Sequence, residues 1–439
     1  MLAHNLTSHT CAKTIEFIKQ IITSSDFISR HRFNPNDFTR KRKLSFHVLI
    51  VFLINFVRSS YQDELDKFFK AIFRFDVAKR VVSKAALAKA RMKIKFEAFV
   101  ELNLNLVQYF EKYFKPRTWF GLRLLAIDGS TTRLPMEPAI AQHFGVWNGR
   151  QGEPSPVARV SQLFDVLNKI TVDAIIKPKC IGERELAAQH ILNVMPNDLL
   201  LLDRGYPAWW LFKTILSMNA NFCARVSCTK WKAVRKFFRS GLPEKIIDLP
   251  VHATSVVQCK HMGMDMIPLK LRLLRIENDG KAAVLITSLI DAKRYPINLF
   301  NELYHCRWPI EEDYKTMKCR MELENFTGKS ALSVYQDFHA KVFAKNLVWM
   351  MAFSAQNCLD EDTSVKQYRY QINFTPAFSK SKGVMALLFH DTVRRIRRLI
   401  TDLQYIFQRT VEPVRPGRKY PRNHKAKPRR YFIQYKPIG

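Results

Sequence analysis

Four leucines in a row at positions 199–202, closed by Asp203, restrict this chain more than any other feature of its 439 residues. The run is too short for an ordinary helix and is apolar on both faces, as suits a central strand covered on both sides. Its neighbourhood has the same character. LRLLAID (122–128) is a second apolar run ending in an acid, and ARVSQLFDV (158–166) alternates with a two-residue period. A turn at Asn168 and Lys169 leads into ITVDAIIKP (170–178). Helices are expected over about 183–194 and 208–218 and another strand over 221–226, which makes a mixed β-β-β-α-β-α-β unit.

The remainder is organised around that unit. Residues 227–295 interrupt it with strand-like stretches at 254–258, 269–276 and 282–289, and read as a mostly β insertion. Residues 1–115 read as helical: Leu49, Phe52, Leu53 and Phe56 recur at helical spacing, and Ser83 precedes the helix-favouring KAALAKARMKIKFEAF. After the insertion, helices are expected over 299–323 and onward to about 408. The expected plan is a helical N-terminal DNA-binding region (1–115), a sheet domain in two parts (116–226 and 296–345) around the insertion, a C-terminal helical region (346–410) and a basic tail (411–439). Residues 415–430 of that tail hold eight cations and no acid, a composition that stays disordered until it meets a polyanion.

Charge identifies the partner. Lys and Arg total 71 against 38 Asp and Glu, a net +33 spread over every region, so a polyanion is the natural ligand. A membrane surface is disfavoured because no apolar run approaches the ~20 residues of a spanning helix; the longest, 48–57, reads as a core helix. The first ten residues lack the basic-then-apolar pattern of a secretory signal, so a cytoplasmic protein is expected. Eight cysteines without a C-x2-C pair signal neither a zinc site nor a disulfide framework. The run Arg40, Lys41, Arg42, Lys43 suits either a solvated helix lead-in or a phosphate contact.

An aspartate beyond one strand is weak information, but two in one sheet are not. If the two strands are neighbours, Asp128 and Asp203 stand side by side at their carboxyl ends, where they repel unless a cation lies between them. Magnesium suits such oxygen ligands, and two ions about 3.5–4 Å apart can serve the attacking and leaving oxygens of phosphoryl transfer. A third acid is then expected. On a continuous helix Tyr304, Arg307, Glu311 and Lys318 fall within an arc of about 60°, whereas Glu312 and Asp313 point elsewhere. Pro309 interrupts such a helix and suits a first turn, so a helix starting there would keep only Glu311 and Lys318 on one face.

These residues carry a family likeness. Tyr304, Arg307, Glu311 and Lys318 meet in full the Y-x2-R-x3-E-x6-K signature, and AIDGSTTRLP and LLLDRGY resemble the segments around the two catalytic aspartates, in the same order. The chain resembles the DDE transposases of bacterial insertion sequences, in the branch named after insertion sequence four. ARVSQLFDVLN, GERELAAQH, LITSLID, KAALAKAR and RPGRKYPRNHKAKPRR extend the likeness over most of the chain from Ser83 onward. The resemblance implies a ribonuclease-H-like catalytic domain, α/β with a mixed five-stranded sheet, interrupted by a β-rich insertion and flanked by helical regions. It implies that Asp128, Asp203 and Glu311 hold two Mg2+, with Mn2+ able to substitute. Tyr304, Arg307 and Lys318 would contact phosphates of double-stranded DNA at the transposon end.

The expected reaction is water-driven cleavage at the inverted ends, followed by attack of the freed 3′-hydroxyl on target DNA. Two ends must meet, so a homodimer on DNA is expected. Within the insertion Lys232, Arg235, Lys236 and Arg239 recur at helical spacing, fitting a phosphate backbone or a solvated face equally. Trp209, Trp210 and Trp231 are either core aromatics or platforms for a displaced base. Two rivals remain at this level: a ribonuclease-H-like nuclease without strand transfer, which joined products exclude, and a catalytically inactive DNA-binding relative, which metal-dependent nicking excludes.

Overall fold

The structure, a computed structural model, describes residues 2–149, 152–278, 280–362, 367–415 and 436. The basic stretch of the tail from 416 to 430 lies outside the described residues. The chain divides into two compact units, one made of Met1–Lys115, Thr131–Ala158 and Lys315–Gly439, the other of Pro116–Ser130 and Arg159–Tyr314.

The second unit is built on the sheet. Its strands are β1 (Arg123–Arg133, whose end passes into the first unit), β3 (Gly152–Asp165, whose second half lies here), β4 (Ile170–Pro178), β5 (Asp198–Leu202), β6 (Asn221–Val226), β7 (Glu244–Leu249), β8 (Leu269–Asn278) and β9 (Lys281–Thr287). A short β2 (Val146–Gly149) pairs with the start of β3 inside the first unit. From β4 the order runs β3, β1, β5, β6, β9, β8, β7. The first five, β4-β3-β1-β5-β6, form a meander of three followed by two strands reached through helices. That is the ribonuclease-H-like order, and β1, β5 and β6 run parallel.

Local chemistry explains these elements. All five residues of β5 are buried, as suits a central apolar strand. The helices before and after it in the chain, Glu183–Ile191 and Trp209–Ser217, pack on each other. The turn between β3 and β4 places Lys169 at φ 54°, and the Asp165 carboxylate accepts from the Asn168 amide N–H at 3.0 Å, an Asx-type closure.

The insertion departs from expectation in one place. Residues 254–258 are not a strand but part of a helix, Ala253–His261. Ser255 and Cys259, four apart, are buried, while Val257 is 72% exposed; burial follows the helical period rather than the β-branched composition. The other two stretches form β8 and β9, and β9 pairs antiparallel with β6. The five-stranded sheet is thus continued by three insertion strands rather than closed at β6.

The first unit is helical at both ends of the chain. Ser24, Ser45 and Ser83 cap the helices Ser25–His31, Phe46–Leu53 and Lys84–Arg91, each accepting from a backbone N–H three residues on. The helix-favouring run after Ser83 is not one helix: it stops at Arg91 and resumes at Glu97–Tyr113. The longest helix, Ala331–Asp362, buries Phe338, Phe343, Leu347 and Met351 against Glu97–Tyr113 and Val393–Arg409. Arg91 is the polar centre of this unit. It donates to Gln336 and Asp337, both at 2.5 Å, and to the Ser333 carbonyl at 2.6 Å, so its buried charge is fully answered. No helix among the described residues is long and apolar enough to cross a membrane.

Candidate active site

Strand register fixes the first two acids. Ile127 of β1 pairs with Leu202, the last residue of β5, where the parallel pairing of the two strands ends, so Asp128, still within β1, and Asp203, just past β5, follow in adjacent positions. The other end of the pair is clamped by Arg123, whose Nε and Nη2 reach the two oxygens of buried Asp198 at 2.8 and 2.7 Å, a bidentate bond that fixes the register.

The third acid arrives differently from the sequence expectation. Tyr304, Arg307, Glu311 and Lys318 do not share one helix: Leu299–His305 ends before Arg307, a new helix Pro309–Lys315 begins, and a π-helical turn, Thr316–Arg320, follows in the chain. Pro309, with no N–H to donate and a ring that excludes a preceding helical turn, causes the break. Arg307 nevertheless still meets Glu311. Its Nη2 donates to Glu311 Oε1 at 2.6 Å and its Nη1 lies 3.8 Å from Asp128 Oδ2. Asp203 is held by Arg225 Nη2 at 3.0 Å and by the Tyr304 hydroxyl at 3.3 Å.

Electrostatics separates the acids. Burial pushes the Asp128 carboxyl up to about 6, the neighbouring Glu311 and Asp203 add to the rise, and Arg307 and the Gly129 amide only partly oppose it. Burial also pushes Asp203 up, but the Arg204 amide, Arg307, Arg225 and the Tyr304 hydroxyl together outweigh it and hold the group below its ordinary value. The three carboxylates gather around Arg307, yet among the described residues no three acid, histidine or cysteine side chains stand close enough together to share a cation. The donor set still fits a divalent cation in kind, because all of it is carboxylate oxygen, the ligand that magnesium and manganese prefer.

Several supporting residues have no local sequence signal of their own. The Tyr314 hydroxyl donates to the Asp128 carbonyl at 2.8 Å. Ser161 Oγ stands 3.4 Å from the same carbonyl and 3.0 Å from His190 Nε2, and His190 Nδ1 lies 2.7 Å from Asp173 Oδ2. Arg225 is also new. His190 lies in GERELAAQH, so the family-like segment marked the region without revealing the role.

Other candidates are scattered. Lys318 Nζ donates to the Thr131 carbonyl at 2.8 Å. Lys232, Arg235, Lys236 and Arg239 are exposed on the helix Lys232–Ser240, which buries Val234 and Phe237 on its inner side. Trp209, Trp210 and Trp231 are buried core aromatics, so none is available to a base, whereas Trp308 beside Arg307 is 42% exposed. In the first unit Arg40, Arg42, Lys43, Lys89 and Lys93 line a cavity of about 640 Å³.

Comparison with known proteins identifies the family. The Transposase DDE domain family matches residues 119–347, more than half of the chain and all three acids. The chain is 26% identical over 356 residues to the transposase InsG for insertion sequence element IS4 of Escherichia coli (strain K12), covering 80% of this chain and 78% of that protein. It is also similar, at 8% identity and a TM-score of 0.45 over 89% of this chain and 85% of the other, to the cryo-EM structure of the piggyBac transposase synaptic complex with hairpin DNA. The chain belongs to the DDE transposases, metal-dependent enzymes that cut and rejoin DNA.

Proposed function

We propose that the chain binds the inverted ends of an insertion sequence, cleaves them and joins the freed 3′-hydroxyls to target DNA, with Asp128, Asp203 and Glu311 as its catalytic residues. The observation that carries this reading is the parallel β1 and β5 pair, whose register ends on Ile127 and Leu202 and so sets two acids side by side, with Glu311 tied to the first of them through Arg307. The three acids would hold Mg2+, in a two-ion arrangement that Mn2+ can also fill. Bound there, divalent ions supply Lewis-acid stabilisation of charge developing on phosphate oxygens.

The protein's own groups do the positioning. Arg225 and Tyr304 orient Asp203, and the Tyr314 hydroxyl pins the Asp128 backbone. Arg307 already spans two acids and carries a fork suited to phosphate, so an incoming phosphodiester can exchange with a carboxylate for its N–H groups. In cleavage, water oxygen forms a bond to phosphorus and the 3′-oxygen leaves; in joining, that 3′-oxygen attacks a target phosphodiester and another 3′-oxygen leaves.

Tyr304, Arg307 and Lys318 are assigned to the DNA end. Lys232, Arg235, Lys236 and Arg239, and the cavity lined by Arg40, Arg42 and Lys43, are assigned to the phosphate backbone further along. We assign a homodimer to the joined ends, because one active site serves one end.

Asp203→Ala tests the reading. It should abolish cleavage yet leave affinity for end DNA equal or higher, since a carboxylate near phosphates repels them without metal. Joint loss of binding and cleavage in a folded variant would make Asp203 structural.

A further inference from the structure

Beside Asp128 lies a group that the three-acid reading does not use. Gly129 has no side chain, and a Cβ there would meet Glu183 Cγ at 3.4 Å, Glu183 Cδ at 3.5 Å and the Tyr206 hydroxyl at 3.5 Å. Three segments therefore close on one bare backbone position next to the first acid: β1 just past Asp128, the first turn of the helix Glu183–Ile191, and the loop after Asp203. Arg184 ties the last two together, donating to the Gly205 carbonyl from Nε at 3.0 Å and Nη2 at 2.8 Å.

Tyr206 is the anomalous member. Only 2% of the residue is exposed, and its hydroxyl has no hydrogen-bond partner among the described residues. A buried hydroxyl in that state is costly, and native proteins rarely leave one so without a reason. Its surroundings are acidic: after burial, the charges of Asp128, Glu183 and Asp203 are what push the phenol up. The hydroxyl thus lies among the charges of Asp128, Glu183 and Asp203, with Arg159 the opposing one. Glu183 itself is half-exposed and reaches Arg159 Nη1 with one oxygen, Oε1, at 2.7 Å. Its Cγ and Cδ are among the atoms nearest to the bare Gly129 position.

Resting on the assignment of Asp128 to a cation site, we propose that Glu183 is a fourth acidic member of that site and Tyr206 its hydroxyl donor, the two together holding a water of the cation's hydration shell beside Gly129. Magnesium and manganese keep part of their water when bound by one or two carboxylates. Such water needs an acceptor for its protons and a donor to its free lone pair. Glu183 supplies the first and Tyr206 the second.

The test is Mn2+ binding by full-length protein without DNA, measured by isothermal titration, with urea unfolding in parallel. Glu183→Gln should weaken binding about tenfold, within the range seen when an outer-shell partner is lost. Tyr206→Phe should weaken it several-fold while unfolding at the same or a higher urea concentration, because the hydroxyl it removes bonds nothing among the described residues. That pairing separates the proposal from a packing role, in which Tyr206→Phe would change neither quantity or would lower stability alone.

Asp128→Asn is the reference. If it loses Mn2+ binding while Glu183→Gln and Tyr206→Phe bind as wild type, the fourth-acid proposal is overturned and the three-acid reading stands. If Asp128→Asn also binds as wild type, both fall together. Should Glu183→Gln fail to fold, Tyr206→Phe decides alone.

Discussion

Asp128→Asn should stabilise the metal-free protein at neutral pH even as it removes an essential acid. Burial raises this carboxyl from 3.8 to about 6 in the folded chain. A folded value above the unfolded one means that the group favours folding below about pH 4, where it is protonated in both states. That contribution is lost as pH rises through about 6, where folding must bury the charge. At 1.36 kcal/mol per tenfold, the rise corresponds to about 3 kcal/mol by pH 7.

Asparagine keeps the oxygen that accepts from the Gly129 amide at 2.9 Å and loses only the long contact to Arg307, so about 3 kcal/mol is an upper limit. The assay is urea unfolding of both proteins in EDTA between pH 4 and 8. The advantage of the variant should be near zero at pH 4 and grow to its full size by pH 7. Adding Mn2+ at pH 7 should stabilise the wild type alone, by linkage. An advantage that does not vary with pH, or a variant less stable at every pH, would refute the claim that Asp128 carries uncompensated charge.

In the first unit His47 and His390 pack 4.7 Å apart, and burial holds each near 4. Their contribution to stability, complete above about pH 6.5, should be lost as pH falls through about 4, and His390→Phe should reduce that acid sensitivity in a pH series of thermal unfolding. Asp198→Ala, which removes the acceptor of both Arg123 bonds at 2.8 and 2.7 Å, should cost about 1–3 kcal/mol in urea unfolding; no measurable loss would show that the clamp does not fix the β1 and β5 register. Lys318→Ala should weaken end binding and lower the salt slope by about one counterion, and an unchanged slope in a folded variant would remove Lys318 from the DNA contacts.

What the sequence disclosed was whatever is written locally. Leu199 to Leu202 are buried on both faces because nothing in them is polar, and alternation in β3 and β4 is a two-residue signal that no distant contact needs to supply. The aspartates were legible because each ends such a run. Residues 254–258 misled because Thr254, Val256 and Val257 are β-branched, while the deciding fact, burial of Ser255 and Cys259 on one helical face, depends on neighbours far along the chain. Pro309 was visible, and its break followed from its chemistry, but that Arg307 would still reach Glu311 across it was not. Arg225 and Ser161 had no signal of their own: they meet Asp203 and Asp128 from 22 and 33 positions away, where only the folded sheet brings them to the acids. Tyr206 and Tyr314 stand near the acids in the chain, but nothing local told what their hydroxyls would meet.

The insertion strands have a consequence for self-association. Without them β6 would be an edge, offering the backbone of Phe222, Cys223 and Ala224, three buried residues, to any other strand. Parallel strands of that composition are templates for aggregation. With β9, β8 and β7 in place the sheet instead ends on β7, where Glu244, Lys245 and Asp248 occupy half of the six positions, and at the other side β4 finishes in Lys177 and Pro178. Charge and proline are what discourage a foreign strand from adding to an edge. A chain trimmed of residues 227–295 would therefore do more than lose basic surface: it would expose a sticky margin, and copies concentrated on the same DNA would pair sheet to sheet.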